Sequence, residues 1–119
     1  MTHHYAGNCH CGAIKFSYDG EEIKQGLRCN CSICSRKGAV MSAQVIPQAV
    51  LKVEADENDV GLYQFDNKVA KHYFCKKCGI YTHNETLRSP GQMRVNLACI
   101  EEVDISQLEI LTFDGKKLL

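Results

Sequence analysis

Three cysteines stand within one short stretch of the chain, Cys29-Asn-Cys31-Ser-Ile-Cys34. Thiolates bind Zn²⁺ at about 2.3 Å, and this spacing lets one tight turn aim several sulfurs at a single ion. No histidine flanks the stretch as an obvious fourth ligand. A structural zinc site is closed by four protein ligands, whereas a catalytic site keeps one position open. The odd number of ligands therefore favours an open, catalytic zinc site.

Four other cysteines form two pairs far apart in the sequence, Cys9-His-Cys11 and Cys75-Lys-Lys-Cys78. Together they would supply the four thiolates of a closed tetrahedral site. Cys99 stands alone. The eight cysteines divide most simply into a structural zinc site, an open zinc site and a single thiol, which predicts two zinc ions per chain. A rival division gives Cys99 to the open site as its fourth ligand and leaves nothing catalytic.

A disulfide framework is the alternative use of eight cysteines, but two features of the sequence disfavour it. Cysteines in a C-x-C arrangement are badly placed to pair with each other. The first residues, Met1 to Gly7, lack the basic region and apolar run of an export signal. We therefore expect a cytoplasmic metal-binding protein, with residues 1–119 forming one domain around a single core.

The charge balance of the sequence bears on its partners. The formal net charge is zero, so no field of either sign is available to recruit nucleic acid or an anionic membrane. No stretch approaches the ~18 apolar residues of a spanning helix. We expect neither nucleic acid nor a membrane as a partner. The acidic run from Glu54 to Asp59 reads as a solvated loop.

Outside the cysteines, His83 is the best candidate for moving a proton. The segment Tyr81-Thr-His-Asn84 leaves the second cysteine pair and could run beneath the open zinc. The alternative for His83 is a strand histidine with an ordinary hydrogen bond. His72 reads as a surface strand residue, and His10 as a residue caught between two ligands without binding metal.

Three basic residues also come into consideration. They could hold the carboxylates of a ligand, but solvated surface charges need no further explanation, and we favour that interpretation. These residues are Arg36, Lys37 and Arg94.

Short strands are the elements that must position these side chains. Ile14, Phe16 and Tyr18 alternate with polar residues, which predicts a half-buried strand over Ala13–Tyr18, and Asp19-Gly20 is a turn signal. A second strand around Ile23–Leu27 would deliver the Cys29–Cys34 stretch at its end. Further strands are expected at Val40–Ile46, Ala49–Val53, Val60–Phe65, Val69–Phe74, Ile80–Asn84, Met93–Cys99 and Glu109–Phe113.

Very little helix is expected. Ser35–Gly38 is polar, ends in glycine and reads as a loop, and Asp66–Lys68 reads as the polar tip of a hairpin. Helical turns are expected only near Ser32–Arg36 and Asp104–Leu108. The sequence thus predicts an all-β fold with short strands, zinc knuckles at the strand ends and minimal helix.

Four motifs in this order resemble one known family. They are Gly7-Asn-Cys-His-Cys-Gly-Ala-Ile14, the Cys29–Cys34 stretch, Phe74-Cys-Lys-Lys-Cys-Gly79 and Val95-Asn-Leu-Ala-Cys-Ile100. This pattern is similar to that of the glutathione-dependent formaldehyde-activating enzymes, a domain that centromere protein V shares. The resemblance runs from Gly7 to about Leu111, nearly the whole chain. Three cysteine motifs in the right order are much more specific than one C-x-x-C.

The resemblance implies a β-tent fold with two zinc sites. In the family pattern, Cys9, Cys11, Cys75 and Cys78 fall on the structural ligands, and Cys29, Cys31 and Cys34 on the catalytic ones. The family reaction is a carbon–sulfur lyase equilibrium that joins formaldehyde to glutathione as S-hydroxymethylglutathione. The implied partners are a small glutathione-like thiol and a small aldehyde.

The charge of the open site agrees with thiol chemistry. A zinc with three thiolates carries a formal charge of −1, which makes it a weaker Lewis acid than a three-histidine zinc but a soft centre that accepts sulfur. Two hypotheses follow. The first is a zinc-dependent lyase that forms or cleaves thiol–aldehyde adducts at Cys29, Cys31 and Cys34, assisted by His83. The second is a non-catalytic zinc-binding module that docks a protein or another ligand.

Overall fold

The computed structural model of the chain describes residues 2–64, 70–86 and 91–114. Within these ranges the chain is mostly strand, with one α-helix, α1 (Ser32–Lys37), and three 3₁₀ turns (Glu57–Asp59, Leu97–Cys99 and Ile105–Gln107). This confirms the all-β prediction. The strands are β1 (Thr2–Asn8), β2 (Lys15–Glu21), β3 (Gln25–Cys29), β4 (Met41–Ser42), β5 (Ile46–Pro47), β6 (Lys52–Glu54), β7 (Val60–Tyr63), β8 (Lys71–Cys75), β9 (Tyr81–Glu85), β10 (Gln92–Val95) and β11 (Glu109–Phe113).

The described strands form three sheets. The N-terminal sheet has the order β1-β2-β6 and the central sheet the order β5-β10-β9-β8-β7, and both are antiparallel. The third sheet, here called the site sheet, has the order β11-β3-β4. In it β3 pairs antiparallel with β4 and parallel with β11, and Phe113 lies opposite Cys29 in the register.

The core lies between the N-terminal sheet and the chain around β10. Tyr5, Phe16 and Tyr18 of the N-terminal sheet are buried, because alternate residues of a strand point to the same face. Tyr5 and Tyr18 are cross-strand partners whose ring centroids are 5.7 Å apart. Beyond them the core continues through buried residues of and after β10: Met93, Val95, Leu97, Cys99 and Ile100.

Two local predictions for the first half of the chain are wrong. Asp19-Gly20 is not a turn: both residues lie inside β2, opposite His4 and His3 of β1, a strand that the sequence analysis missed. The strand predicted over Val40–Ile46 is divided into β4 and β5, which belong to different sheets. At the break, the carbonyls of Ser42 and Ala43 accept hydrogen bonds of 2.7 Å from Arg94 Nη1 of β10.

Two further predictions about element ends also differ from the structure. Helix α1 continues through the stretch predicted as a loop, and ends at Gly38, whose φ of 66° suits a glycine and whose N–H donates to Cys34 O. The strand predicted over Met93–Cys99 ends at Val95, because the Asn96 side chain accepts from the Ala98 N–H and starts a 3₁₀ turn. The hairpin tip Asp66–Lys68 lies outside the described residues.

The last strand and the last turn agree closely with expectation: β11 has the predicted bounds, and the turn Ile105–Gln107 falls inside the predicted Asp104–Leu108. Among the residues that the structure describes, no helix has the length and apolar character needed to cross a bilayer.

Candidate metal centres

Four cysteines from two different sheets meet at one point. Cys9 and Cys11 lie in the connection from β1 to β2, and Cys75 and Cys78 lie where β8 turns into β9. The two connections have the same construction. The Cys9 N–H donates to Ile14 O at 3.0 Å, and the Cys75 N–H donates to Ile80 O at 2.9 Å.

A glycine reverses the chain in each of these two knuckles. Gly12 has a φ of 82° and Gly79 a φ of 79°, values in the left-handed region where glycine carries no Cβ penalty. Their N–H groups donate to Cys9 O and Cys75 O. The glycine that follows the second cysteine of each pair thus lets the backbone turn under its own sulfurs.

The sulfur positions of these four cysteines fit a tetrahedral thiolate site. All four sulfurs lie within 4.8 Å of one another, with Cys9 Sγ 3.7 Å from Cys11 Sγ and Cys11 Sγ 3.6 Å from Cys75 Sγ. Zn–S bonds of about 2.3 Å place the corners of a tetrahedron about 3.8 Å apart, whereas a disulfide needs about 2.05 Å. The four thiols are free and correctly spaced for one zinc.

Backbone donors prepare this four-cysteine cluster for metal. The Ile14 N–H lies 3.3 Å from Cys9 Sγ. The N–H groups of Cys11 and Ile80 lower the pKa of Cys78 to about 6, which favours the thiolate that a metal requires. Cys9 and Cys75 are fully buried, so their sulfurs face the interior. His10, between the two ligands, is exposed and does not join the cluster.

The second cluster contains three cysteines, all from one short piece of chain. Cys29 ends β3, Cys31 precedes α1, and Cys34 lies within the helix. Their sulfurs also lie within 4.8 Å of one another. Burial, followed by the neighbouring Cys31 thiol, raises the pKa of Cys34. No fourth cysteine, histidine or carboxylate of the described chain joins this group.

Cys99 takes part in neither cluster. Its side chain is buried in the core beside Leu97 and Ile100, and its thiol donates to Tyr81 O at 3.8 Å. The rival division of the cysteines, in which Cys99 completes the open site, therefore finds no support in the geometry. The residue reads as a buried core thiol, a common environment for free cysteine.

The three-cysteine cluster opens on a cavity of about 500 Å³, which the four-cysteine cluster does not line. Part of the wall is apolar, formed by Leu27, Ile33, Met41 and Phe113. Another part is polar, formed by Lys37, His72, Tyr81, Asn84 and Arg94. An open metal site needs three protein ligands and free space next to them for a water or a substrate, and this cluster offers both.

Lys37 lies in the polar wall, three residues after Cys34 and on the same side of the helix. Its Nζ is 2.6 Å from His72 Nδ1 and 3.5 Å from the centre of the Tyr81 ring. Burial lowers the pKa of Lys37 to about 8, although negative charge on Cys34 and Cys31 opposes this. Lys37 is therefore not the solvated surface charge that the sequence suggested.

His72 was predicted at the surface, and this is wrong. It is 4% exposed, and burial, followed by the Lys37 charge, lowers its pKa to about 4. A neutral His72 accepts from the Lys37 ammonium at Nδ1. Of the other two basic residues considered, Arg36 is exposed, with Nη1 donating to Ser32 O, whereas Arg94 is half-buried and anchors Ser42 and Ala43.

His83 lies on the other face of β9 and is not among the described residues that line the cavity. Its ring stacks on Tyr73 with centroids 4.6 Å apart, and its Nδ1 is 2.8 Å from Thr82 Oγ1. Burial lowers its pKa to about 4. The catalytic role of His83 stays a prediction, but the structure does not bring the residue to the three cysteines.

A bulge explains why His83 and Tyr81 face opposite sides. Tyr73 pairs with His83 and Phe74 pairs with Tyr81, so Thr82 is an extra residue on β9. Strict alternation would put His83 on the same face as Tyr81. The extra residue instead brings Asn84 to the cavity after Tyr81. Lys37 was considered from the sequence but interpreted as a solvated surface charge, because the helical turn was expected to end at Arg36 and the i+3 spacing of Lys37 from Cys34 was not used.

Comparison with known proteins agrees with this construction. The sequence model of the family described as glutathione-dependent formaldehyde-activating enzyme matches residues 4–112. The crystal structure of a Rhodobacter sphaeroides protein is similar to this chain, with 34% identity and a TM-score of 0.78, over 89% of this chain and 99% of that one. The family match spans all seven clustered cysteines and confirms the resemblance seen in the motifs. The chain belongs to the family of glutathione-dependent formaldehyde-activating enzymes.

Proposed function

We propose that this chain is a zinc-dependent carbon–sulfur lyase, which forms or cleaves a thiol–aldehyde adduct such as S-hydroxymethylglutathione. Cys29, Cys31 and Cys34 hold the catalytic zinc. Cys9, Cys11, Cys75 and Cys78 hold a second, structural zinc. The observation that carries the proposal is that the three-cysteine cluster opens on a cavity, while the four-cysteine cluster does not line it.

The donor set fits a thiol substrate. When bound by three thiolates, zinc supplies a soft, open centre that favours a fourth sulfur and the deprotonated form of a thiol. Cys29, Cys31 and Cys34 would hold such a metal, and all three line the cavity. The apolar wall formed by Leu27 and Met41, among others, limits water around it, which strengthens electrostatic interactions inside.

The size and character of the cavity suit a small thiol and a small aldehyde. Its volume of about 500 Å³ lies within the ~300–1,000 Å³ range of small-molecule sites. All eight cysteines are free. A reducing compartment keeps thiols in that state, and we accordingly place the activity in the cytoplasm. Family membership supports glutathione and formaldehyde as the first substrates to test.

Cobalt substitution tests the open position directly. Glutathione added to the cobalt-loaded protein is expected to change the metal absorption spectrum, because a new sulfur ligand enters. Exchange between ¹³C-formaldehyde, glutathione and their adduct, followed by NMR, is expected to accelerate in the presence of the zinc protein. Cys34→Ser should abolish both effects.

Cys99→Ala is the matched control, since it removes a cysteine that joins neither cluster. It should retain both the spectral change and the exchange. If the wild-type protein changes neither the cobalt spectrum nor the exchange rate, the lyase proposal fails. The protein is then better described as a non-catalytic zinc module that docks another ligand.

A further inference from the structure

Four side chains form one connected polar cluster on the cavity wall, Lys37, His72, Tyr81 and Asn84, here called the polar wall. Lys37 Nζ contacts His72 Nδ1 and lies over the Tyr81 ring. The ring centroids of His72 and Tyr81 are 6.2 Å apart. Asn84 lies directly opposite His72 in the register of β8 and β9, so the two side chains share a face.

The polar wall has hydrogen-bonding capacity that its described contacts do not use. An ammonium has three donors, of which His72 takes one and the Tyr81 ring face covers a second. Asn84 is 8% exposed, and its Oδ1 has no hydrogen-bond partner in the described part of the chain. Leaving a buried acceptor unsatisfied is unfavourable, so such an atom at the edge of a cavity points to a ligand group.

A single ligand group that contacts both Lys37 and Asn84 Oδ1 has to accept one hydrogen bond and donate another. Lys37 offers only a donor and Asn84 Oδ1 offers only an acceptor. Arg94, the other cation of the cavity, already donates Nη1 to the carbonyls of Ser42 and Ala43. A hydroxyl oxygen satisfies both requirements, whereas a carboxylate would leave Asn84 Oδ1 unpaired and facing a negative charge.

We propose that the polar wall is the subsite for the oxygen that derives from the aldehyde, with Lys37 donating to this oxygen and Asn84 Oδ1 accepting from it once it is a hydroxyl. This inference rests on the proposed lyase function and deepens it. It makes Lys37 a catalytic residue and His72 a positioning residue, because His72 holds the ammonium through Nδ1.

The reaction balances without any additional reactant. A C–S bond forms between the thiol sulfur and the carbonyl carbon, and the π electron pair of the carbonyl moves to oxygen. The Lys37 ammonium stabilises the negative charge that develops on this oxygen and donates a proton to it. The proton released by the thiol then reprotonates the Lys37 amine. Thiol and aldehyde thus become a hydroxyalkyl thioether with no change in redox state. The reverse sequence releases the aldehyde.

Lys37→Met removes the donor and keeps most of the side-chain volume. The exchange rate at saturating glutathione is expected to fall about 100-fold or more, the usual effect of removing one donor to a developing oxyanion. Zinc content and the glutathione titration of the cobalt-loaded variant should stay as in the wild type, because the sulfur position is untouched. Arg36→Met is the matched control: it removes the same charge from the same helix at an exposed position, and should change the rate less than about 3-fold.

Asn84→Leu is the second variant and carries the test if Lys37→Met loses zinc, since Asn84 lies on β9, far in sequence from Cys29, Cys31 and Cys34. Its exchange rate should fall about 10-fold with unchanged glutathione binding, the scale of one hydrogen bond of about 1.4 kcal/mol. Wild-type rates in both variants would overturn the subsite and leave the lyase standing. A wild-type protein without thiol binding or exchange would overturn the lyase, and the subsite with it.

Discussion

The His83 imidazole is buried against the Tyr73 ring, and its Nδ1 forms a hydrogen bond with the Thr82 hydroxyl. Burial lowers its pKa to about 4, whereas the unfolded chain has the ordinary value of 6.5. Between these values the unfolded state binds more protons than the folded state. The stabilisation by a neutral His83 is therefore fully present above pH 6.5 and is lost as the pH falls towards 4.

His83→Phe should remove this pH dependence. From pH 7.5 to pH 5, we expect the wild-type free energy of unfolding to fall by about 2 kcal/mol more than that of the variant. Urea denaturation at the two pH values measures the difference. Acid-driven metal loss affects both proteins and cancels in the comparison.

His4→Gln is the control for substituting a histidine, because His4 is exposed and contacts Asp19 at the surface. An ion pair between exposed side chains contributes little to stability, so this variant should change the pH dependence far less than His83→Phe does. The same slope in His83→Phe as in the wild type would contradict the buried neutral state. The exchange rate of His83→Phe tests the catalytic role predicted from the sequence: a loss as large as that of Lys37→Met would support that role.

At the scale of the elements, two strand pairs place a glycine opposite a phenylalanine. Gly7 of β1 pairs with Phe16 of β2, and Gly61 of β7 pairs with Phe74 of β8. In both pairs the phenylalanine ring occupies the space that a Cβ on the glycine would need. The surroundings differ, because a Cβ at Gly7 would also lie 2.8 Å from the backbone oxygen of Cys99.

This difference predicts unequal costs for the same substitution. Gly7→Ala should destabilise the protein by about 1–3 kcal/mol, because a backbone carbonyl in the core cannot move aside. Gly61→Ala should cost less, since Phe74 is only half-buried and its ring can rotate away. Thermal unfolding of the two variants under identical metal loading decides it. Equal costs would mean that the ring, and not the Cys99 carbonyl, sets the penalty.

Elements whose pattern is local could be predicted, and those set by distant contacts could not. The alternation of Phe16 and Tyr18 located β2, and the cysteine knuckles located the ends of β3 and β8. The bulge at Thr82 has no signature in the sequence. The prediction therefore placed His83, and not Asn84, on the face of β9 that borders the cavity. The burial of Lys37 depends on His72, far along the chain, and no spacing rule reports such a contact.

At the scale of the whole molecule, the two cysteine clusters have different mechanical roles. Cys9 and Cys11 belong to a connection of the N-terminal sheet, and Cys75 and Cys78 to a connection of the central sheet. A metal at this point joins two sheets. The three-cysteine cluster joins only the end of β3 to the helix that follows it.

Cys78→Ser should therefore unfold or aggregate the protein. Structural zinc binding can contribute about 10–16 kcal/mol in small domains, comparable with a whole domain's stability of about 5–15 kcal/mol. Cys34→Ser should weaken or lose one zinc and abolish thiol-adduct chemistry, but leave most of the fold intact. Metal analysis and thermal unfolding of both variants measure this. Similar destabilisation by the two would mean that both sites are structural, and the lyase would give way to the zinc module.

The parallel pairing of β3 with β11 has a consequence for how the protein is made on the ribosome. All four cysteines of the first cluster have been synthesised once Cys78 has emerged from the ribosome. The strand that carries Cys29 gains its parallel neighbour only when residues 109–113 follow, and Asn30 then donates its N–H to Phe113 O and its side-chain amide to Asp114. A nascent chain should therefore present all four cysteines of the first cluster to a metal before the strand that completes the wall beside the three-cysteine cluster has emerged.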